Sequence, residues 1–485
     1  MVLAWFVLRQ MSYAPAELGG LSSDSRPHDA ASIYFGPRRS LAVLPFTDRS
    51  GEQDQPWLAQ GLPRELIRRL AAEESVQVTA PTSAFFFGNG SGKPEVIAQR
   101  LQVSYLLLGE AALRDSTLLL SVELHDARRE AIAWQGAWET DLEQTDTLIS
   151  EVLSAVRAEL GVSGAAAVEA LPQDRQAWLH YLQGRYLLGP PAMGEVIAAE
   201  RKFRAALELQ PDYSRAWQGL AESFLAGSPP NLENAEAALF RAFESEPQAP
   251  DALGLLSYMQ RNFAWDWPQA TESALLALEG RPGDARLMVL ASRALFSLGR
   301  FEEAESHLLD SIKRDPVNLA TRLSLGLAQE FKGDLDAALA SYRVLLGLNP
   351  EFPAAHAFRA RIKVLQDKPD SAMKESDEEP DAFWKDYSRA LALIARDDLD
   401  EAAAVLERIA RVQGESASFQ LAELNAYAGN TEQAFDWLAR ALERKDGGMA
   451  GLGGNRLLHR LHGDPRWNEL LTRMRLSLDG YDSSD

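Results

Sequence analysis

The stretch AERKFRAALELQPDY, Ala199 to Tyr213, decides how most of this chain folds. It places a small residue at Ala199, a bulky one four positions on at Phe203, a small one three further at Ala206, and a proline five beyond at Pro211. The same spacing returns as Ala235, Leu239, Ala242, Pro247; as Ala270, Ala274, Ala277, Pro282; as Ala304, Leu308, Ser311, Pro316; and as Ala338, Tyr342, Leu345, Pro350. These consecutive copies, about 35 residues apart, form an internal repeat. Steps of four and three stay on one helical face. Alanine lets two helices approach, the bulky residue fills the groove between them, and proline stops the helix because it has no N–H for the ladder.

That period and pattern are those of tetratricopeptide repeats, in which each unit is two antiparallel helices and stacked units wind into a superhelix. Gly219 in Trp217-Gln218-Gly219-Leu220-Ala221, and Gly326 after Leu325, put a small residue where a neighbouring helix crosses; Gly227-Ser228-Pro229-Pro230 lengthens one turn. The reading assigns repeats to 173–366, an acidic loop or truncated unit, DKPDSAMKESDEEPD, to 367–381, and further helical pairs to 382–446. In the latter, Ala390, Ala402, Leu406 and Ile409, then Ala422, Ala434, Leu438 and Ala441, keep the spacing without the closing proline. Residues 447–485 read as polar-faced capping helices and a tail, which an open solenoid end requires.

Residues 40–161 follow a different rhythm. Leu41 to Phe46 is an apolar run of strand length, and Leu58, Leu62, Leu66, Ile67 and Leu70 mark an amphipathic helix over 57–70. Val76-Gln77-Val78 reads as a second strand, 95–101 as a helix, 104–113, 117–124 and 131–140 as three more strands, and 142–160 as a last helix. The expected fold is therefore a small α/β layer domain followed by an all-α superhelix. The segments SLAVLPFTDRSGEQDQPWLAQGLPRELIRRLA, VTAPTSAFFF and RLQVSYLLLGEAALRDSTLLLSVELHDARREAIAWQGAWETDL resemble the TolB amino-terminal-like (FlgO-like) domain. The resemblance implies a non-catalytic, sensor-like module of the kind found on the periplasmic side of membrane-anchored bacterial regulators. Their output half is a winged helix, a nucleotide cyclase or a kinase, and a small ligand of the α/β module is open under it.

The chain has 485 residues, 46% of them apolar, and an excess of 70 acidic over 49 basic side chains gives a net charge of −21. That charge repels nucleic acid and anionic membrane surfaces. The absence of cysteine excludes disulfides, thiolate nucleophiles and cysteine metal sites. The apolar run from Val2 to Leu8 is far short of the roughly 20 residues that span a bilayer. Residues 1–39 read either as a loosely packed tail or as the end of a membrane helix plus tether. The chain is accordingly placed at the periplasmic side of the inner membrane or in the cytoplasm.

The segment from Gly88 to Lys93 has the glycines and lysine of a nucleotide loop, which makes a nucleotide-binding regulator or enzyme the rival reading. Its spacing is wrong for a P-loop, and Pro94 stands where the magnesium-binding hydroxyl belongs. A surface turn with Lys93-Pro94 opening a helix is the simpler account. His459 and His462, three residues apart, read as a solvated helix face rather than a zinc pair, and Trp265-Asp266-Trp267 as packing wedges. No catalytic residue, cofactor or metal ligand is assigned. Transferring the inward-facing row of the repeats' first helices selects Arg185, Glu222, Tyr258, Arg293 and Leu327, with Arg261, Phe296 and Phe331 one turn on, as a groove for a partner protein's acidic peptide.

Overall fold

The computed structural model describes residues 36–51, 55–88, 92–162, 172–189, 195–414 and 416–476. Residues 1–35, and with them the tail-or-tether reading, lie outside this set. Among the described residues no helix is long and apolar enough to cross a membrane.

The first unit is a sheet with helices on both faces. Its elements are β1 (Ser40–Val43), β2 (Thr47–Asp48), α1 (Pro56–Leu70), β3 (Gln77–Val78), α2 (Pro81–Phe86), α3 (Pro94–Leu101), β4 (Tyr105–Arg114), β5 (Thr117–Asp126), β6 (Ala131–Asp141) and α4 (Thr145–Glu159). The sheet order is β3-β1-β4-β5-β6, with β2 also beside β4; β1 runs parallel to β3 and β4, and β4, β5 and β6 form an antiparallel meander. Alternation along β1 sends Leu41 and Val43 to one face, where α1 and α4 bring Leu62, Leu66, Val152 and Val156. It sends Ala42 and Leu44 to the other, where α2 and α3 bring Ala84, Ile97 and Leu101. The strands and the α1, α3 and α4 helices follow the expected pattern; α2 and β2 are additions.

Paired helices follow. Those used below are α5 (Arg175–Leu188), α6 (Val196–Leu209), α7 (Ser214–Ala226), α8 (Leu232–Ser245), α9 (Pro250–Met259), α10 (Trp267–Gly280), α11 (Ala285–Ser297), α12 (Phe301–Arg314), α13 (Leu319–Lys332), α14 (Leu335–Leu348), α15 (Ala355–Leu365), α16 (Pro369–Glu378), α17 (Ala382–Ala395), α18 (Leu399–Gln413), α19 (Ser418–Ala428) and α20 (Thr431–Glu443). Two 3₁₀ turns, Gly447–Gly451 and Arg456–Leu461, and α21 (Pro465–Arg473) complete the chain. The repeat logic is visible at Phe203, which is fully buried. A Cβ on Gly184 of α5 or Gly219 of α7 would lie 2.6 or 2.4 Å from its ring, so both glycines are required for the approach. Tyr342 stands on Gly326 in the same way.

Three features depart from expectation. Residues 369–378, inside the segment read as an acidic loop, form α16, because Glu375 turns inward to His356 at 2.9 Å and Arg359 at 2.7 Å. The superhelix is also not open: the α/β unit lies along the edge formed by the loops that lead into the first helices. Glu65 reaches Arg215 at 2.7 Å, Gly283 N donates to Ala71 O, Ala80 N to Arg314 O, and Ser83 Oγ to Asp315 at 2.6 Å. The sheet's core continues into Trp178, Leu179 and Leu182 of α5. Finally, the carboxy-terminal turns do not merely cap the last pair. They fold back across the concave side, where Gly451 meets Phe331 and Gly454 meets Phe301.

Candidate binding cavity

Six of the eight residues chosen for a peptide groove come together around a pocket that stays partly open to solvent. Tyr258, Arg261, Arg293, Phe296, Leu327 and Phe331 line a cavity of about 140 Å³. The remaining pair, Arg185 and Glu222, sits apart at the junction with the α/β unit and forms an ion pair. The carboxy-terminal part narrows this stretch of the concave face: α19 and the turn Gly447–Gly451 supply Phe419, Gln420, Gly448 and Gly451 as the opposite wall. No signal in a single repeat shows this, since the opposite wall comes from later repeats and the carboxy-terminal turns.

The chain positions each group by local rules. Arg261 lies in a π-helical turn, Gln260–Ala264, that ends α9 with Trp265 in the left-handed region at φ 61°. Such turns re-aim side chains and recur at functional sites. Trp265 and Trp267 stack 5.9 Å apart, and Trp267 is buried with Phe419 and Leu458, so the wedge reading of this motif holds. Phe296, Phe301 and Phe331 form a triad with centroids 4.9 to 5.8 Å apart. A Cβ on Gly448 would lie 2.4 Å from Phe419, so only glycine lets the backbone lie on that ring.

Charge is unevenly compensated around the wall. Arg361 is buried and held by Glu330 at 2.6 and 2.9 Å, with Glu423 at 3.6 Å. Glu423 in turn accepts from Tyr387 at 3.1 Å, and burial pushes its carboxyl above the usual range. Arg261 instead donates to Arg293 O at 2.9 Å, Ser297 Oγ at 3.0 Å and Asn262 Oδ1 at 2.9 Å. Among the described residues no carboxylate pairs with Arg261 or Arg293, and the Arg293 guanidinium makes no hydrogen bond. Burial, then the charge of Arg293, bring Arg261 down to about 10; burial lowers Arg293 as well. Gln420, 3% exposed, has its Oε1 buried without a partner. Sequence reasoning missed the Arg361 network because its partners come from other repeats, and Gln420 because it lies on a helix whose place in the wall no short window records.

Two other constellations are self-contained. His356, Glu375 and Glu378 lie close enough to hold a cation, but Arg359 already neutralises Glu375. His462 is half-buried and stacks on Trp467 at 4.5 Å, and burial with His459 holds it down to about 4; His459 lies in a 3₁₀ turn and His462 caps its end, so neither is on a solvated helix. The Gly88–Lys93 segment is exposed where described: Gly88 has φ 59°, and Lys93 precedes Pro94 at the start of α3. Gly90 lies outside the described residues.

Residues 37–156 match a family model described as the HilA/YgeH-like transcriptional regulator, second domain. A curated relative, "Putative adenylate cyclase 3" of Rhizobium meliloti (strain 1021), is 23% identical over 270 residues, 51% of this chain and 46% of its own length. The chain thus spans less than half of that relative. Among solved structures, Pseudomonas aeruginosa PilF is 21% identical with a TM-score of 0.36, covering 44% of this chain and 96% of its own. A tetratricopeptide repeat protein from Parabacteroides merdae is 13% identical with a TM-score of 0.39, covering 56% of this chain and 100% of its own. Residues 289–354 and 387–449 match a tetratricopeptide repeat model, so the paired helices carry tetratricopeptide repeats.

Proposed function

We propose that this chain is a non-catalytic interaction module of a bacterial regulatory system, holding a partner protein by a carboxylate-bearing segment at the junction of the α/β unit and the first repeats. One observation carries the reading. Arg64 of α1 and Arg185 of α5 both lie beside Glu222, which pairs with Arg185, and among the described residues no carboxylate pairs with Arg64, in a chain whose net charge is −21. The Arg64 guanidinium lies over the Phe85 ring at 4.6 Å, and its Nε is buried without a partner. Burial and the charge of Arg185 bring it down to about 10. The Arg185 and Glu222 side chains are 34% and 37% exposed, so the surplus positive charge is reachable from solvent. An acidic peptide supplies what is missing through charge-assisted hydrogen bonds.

The carboxy-terminal turns narrow the concave face further along, which favours this junction for an extended peptide. We read the α/β unit as kin to the TolB amino-terminal-like (FlgO-like) modules, and a regulator domain and a cyclase among the relatives fit a chain that works beside a separate output. The test is capture of the partner by tagged full-length chain, with and without the Arg64→Gln, Arg185→Gln pair. Affinity is expected to fall about tenfold or more and to weaken with salt. Unchanged affinity in the folded double variant removes this surface.

A further inference from the structure

We propose that the cavity between α9, α11, α13, α19 and the Gly447–Gly451 turn is a binding site for a small amphiphilic carboxylate: one anionic head on an aromatic or short aliphatic body. The reading does not depend on the partner surface at Arg64 and Arg185.

The head is specified by charge. A buried cation costs several kcal/mol unless an anion or hydrogen bonds compensate it. The wall shows both outcomes side by side. Arg361 has its carboxylates, whereas Arg261 and Arg293 have none. Arg261 spends its Nε and one terminal nitrogen on neutral acceptors, and Arg293 spends nothing. Two neighbouring guanidinium groups beside one partly open, largely aromatic-lined pocket form a fork that matches a carboxylate.

The body is specified by the remaining wall. Phe296, Phe331, Phe358 and Phe419 line it, and Gln420 adds one unsatisfied amide. A volume of about 140 Å³ is small for a peptide strand. An apolar cavity of about 150 Å³ holds a benzene-sized guest, which sets the scale. The glycines of the closing turn keep the space clear, since a side chain at Gly448 or Gly451 would collide with Phe419 or Phe331.

The experiment titrates full-length protein with phenylacetate, benzoate and hexanoate, and with benzyl alcohol and acetate as controls lacking the charge or the body. Calorimetry and the melting temperature report binding. At least one of the three carboxylates is expected to bind saturably and raise the melting temperature, while both controls fail. Arg293→Met is expected to weaken that binding at least tenfold and to raise the melting temperature of the empty protein, because it removes an uncompensated charge. The Arg64→Gln, Arg185→Gln variant binds the carboxylate like the parent, which separates this site from the partner surface. Absence of saturable binding by all three, equal binding by benzyl alcohol, or undiminished binding in folded Arg293→Met would each overturn the assignment.

Discussion

A carboxylate that meets three guanidinium groups with almost no water around it cannot be removed singly without cost. Glu65, 3% exposed, accepts from Arg68 at 2.8 Å, Arg69 at 2.7 Å and Arg215 at 2.7 Å. Only the last of these crosses from the α/β unit to the repeats. Burial opposes its charge, but the three arginines outweigh it and hold the carboxyl well below the usual range. A group whose pKa is depressed by folding stabilises above its unfolded value and loses that contribution as pH falls. The Glu65 share of stability is therefore complete at neutral pH and declines below about pH 4.5. Glu65→Gln leaves buried arginines without their counter-charge and is expected to cost about 3–5 kcal/mol, measured by urea denaturation at pH 7. The penalty should shrink at acid pH.

At the scale of elements, each second helix is fixed by the residue it inserts into its neighbours. Phe203 touches glycines of α5 and α7 at once, so Phe203→Ala opens a cavity that neither backbone can collapse into and is expected to cost about 3–5 kcal/mol by the same measurement. The surface segment from Gly88 to Lys93 opens α3 with Lys93-Pro94. ATP with magnesium is accordingly expected to leave the melting temperature unchanged, in the parent and in Lys93→Ala alike; a gain that Lys93→Ala abolishes would revive the nucleotide reading. The repeats were legible because the positions held here by Ala199, Phe203 and Ala206 are buried in every copy. The strands were legible because β5 alternates buried and partly exposed residues along its length. Helix α16 was not, since its acidic composition conceals Glu375, whose partners His356 and Arg359 lie in the preceding helix. The site was legible as a row of residues, Tyr258 through Phe331, but not as a cavity. Curvature accumulates over many pairs, and no short window records where α19 and the glycine-rich turn arrive.

For the whole molecule, the sheet core runs into α5, and the edge contacts extend from Gly283 to Val317. Such continuity couples the two units. Tryptophan fluorescence, reporting Trp178, Trp267 and Trp384 in separate regions, is expected to lose its native signal in one transition coincident with far-ultraviolet dichroism. Two resolved steps would show that the edge contacts are too weak to transmit unfolding. The glycine-rich turn has a different consequence. Bare glycine backbone rests on Phe419 and Phe331, and the ribbon is held from behind by buried Met449 and by the Asp446 carboxylate, which accepts from Gly448 N. A guest's residence time is then governed by how often that ribbon lifts, and amide deuteration of residues 447–451 becomes a clock for its departure.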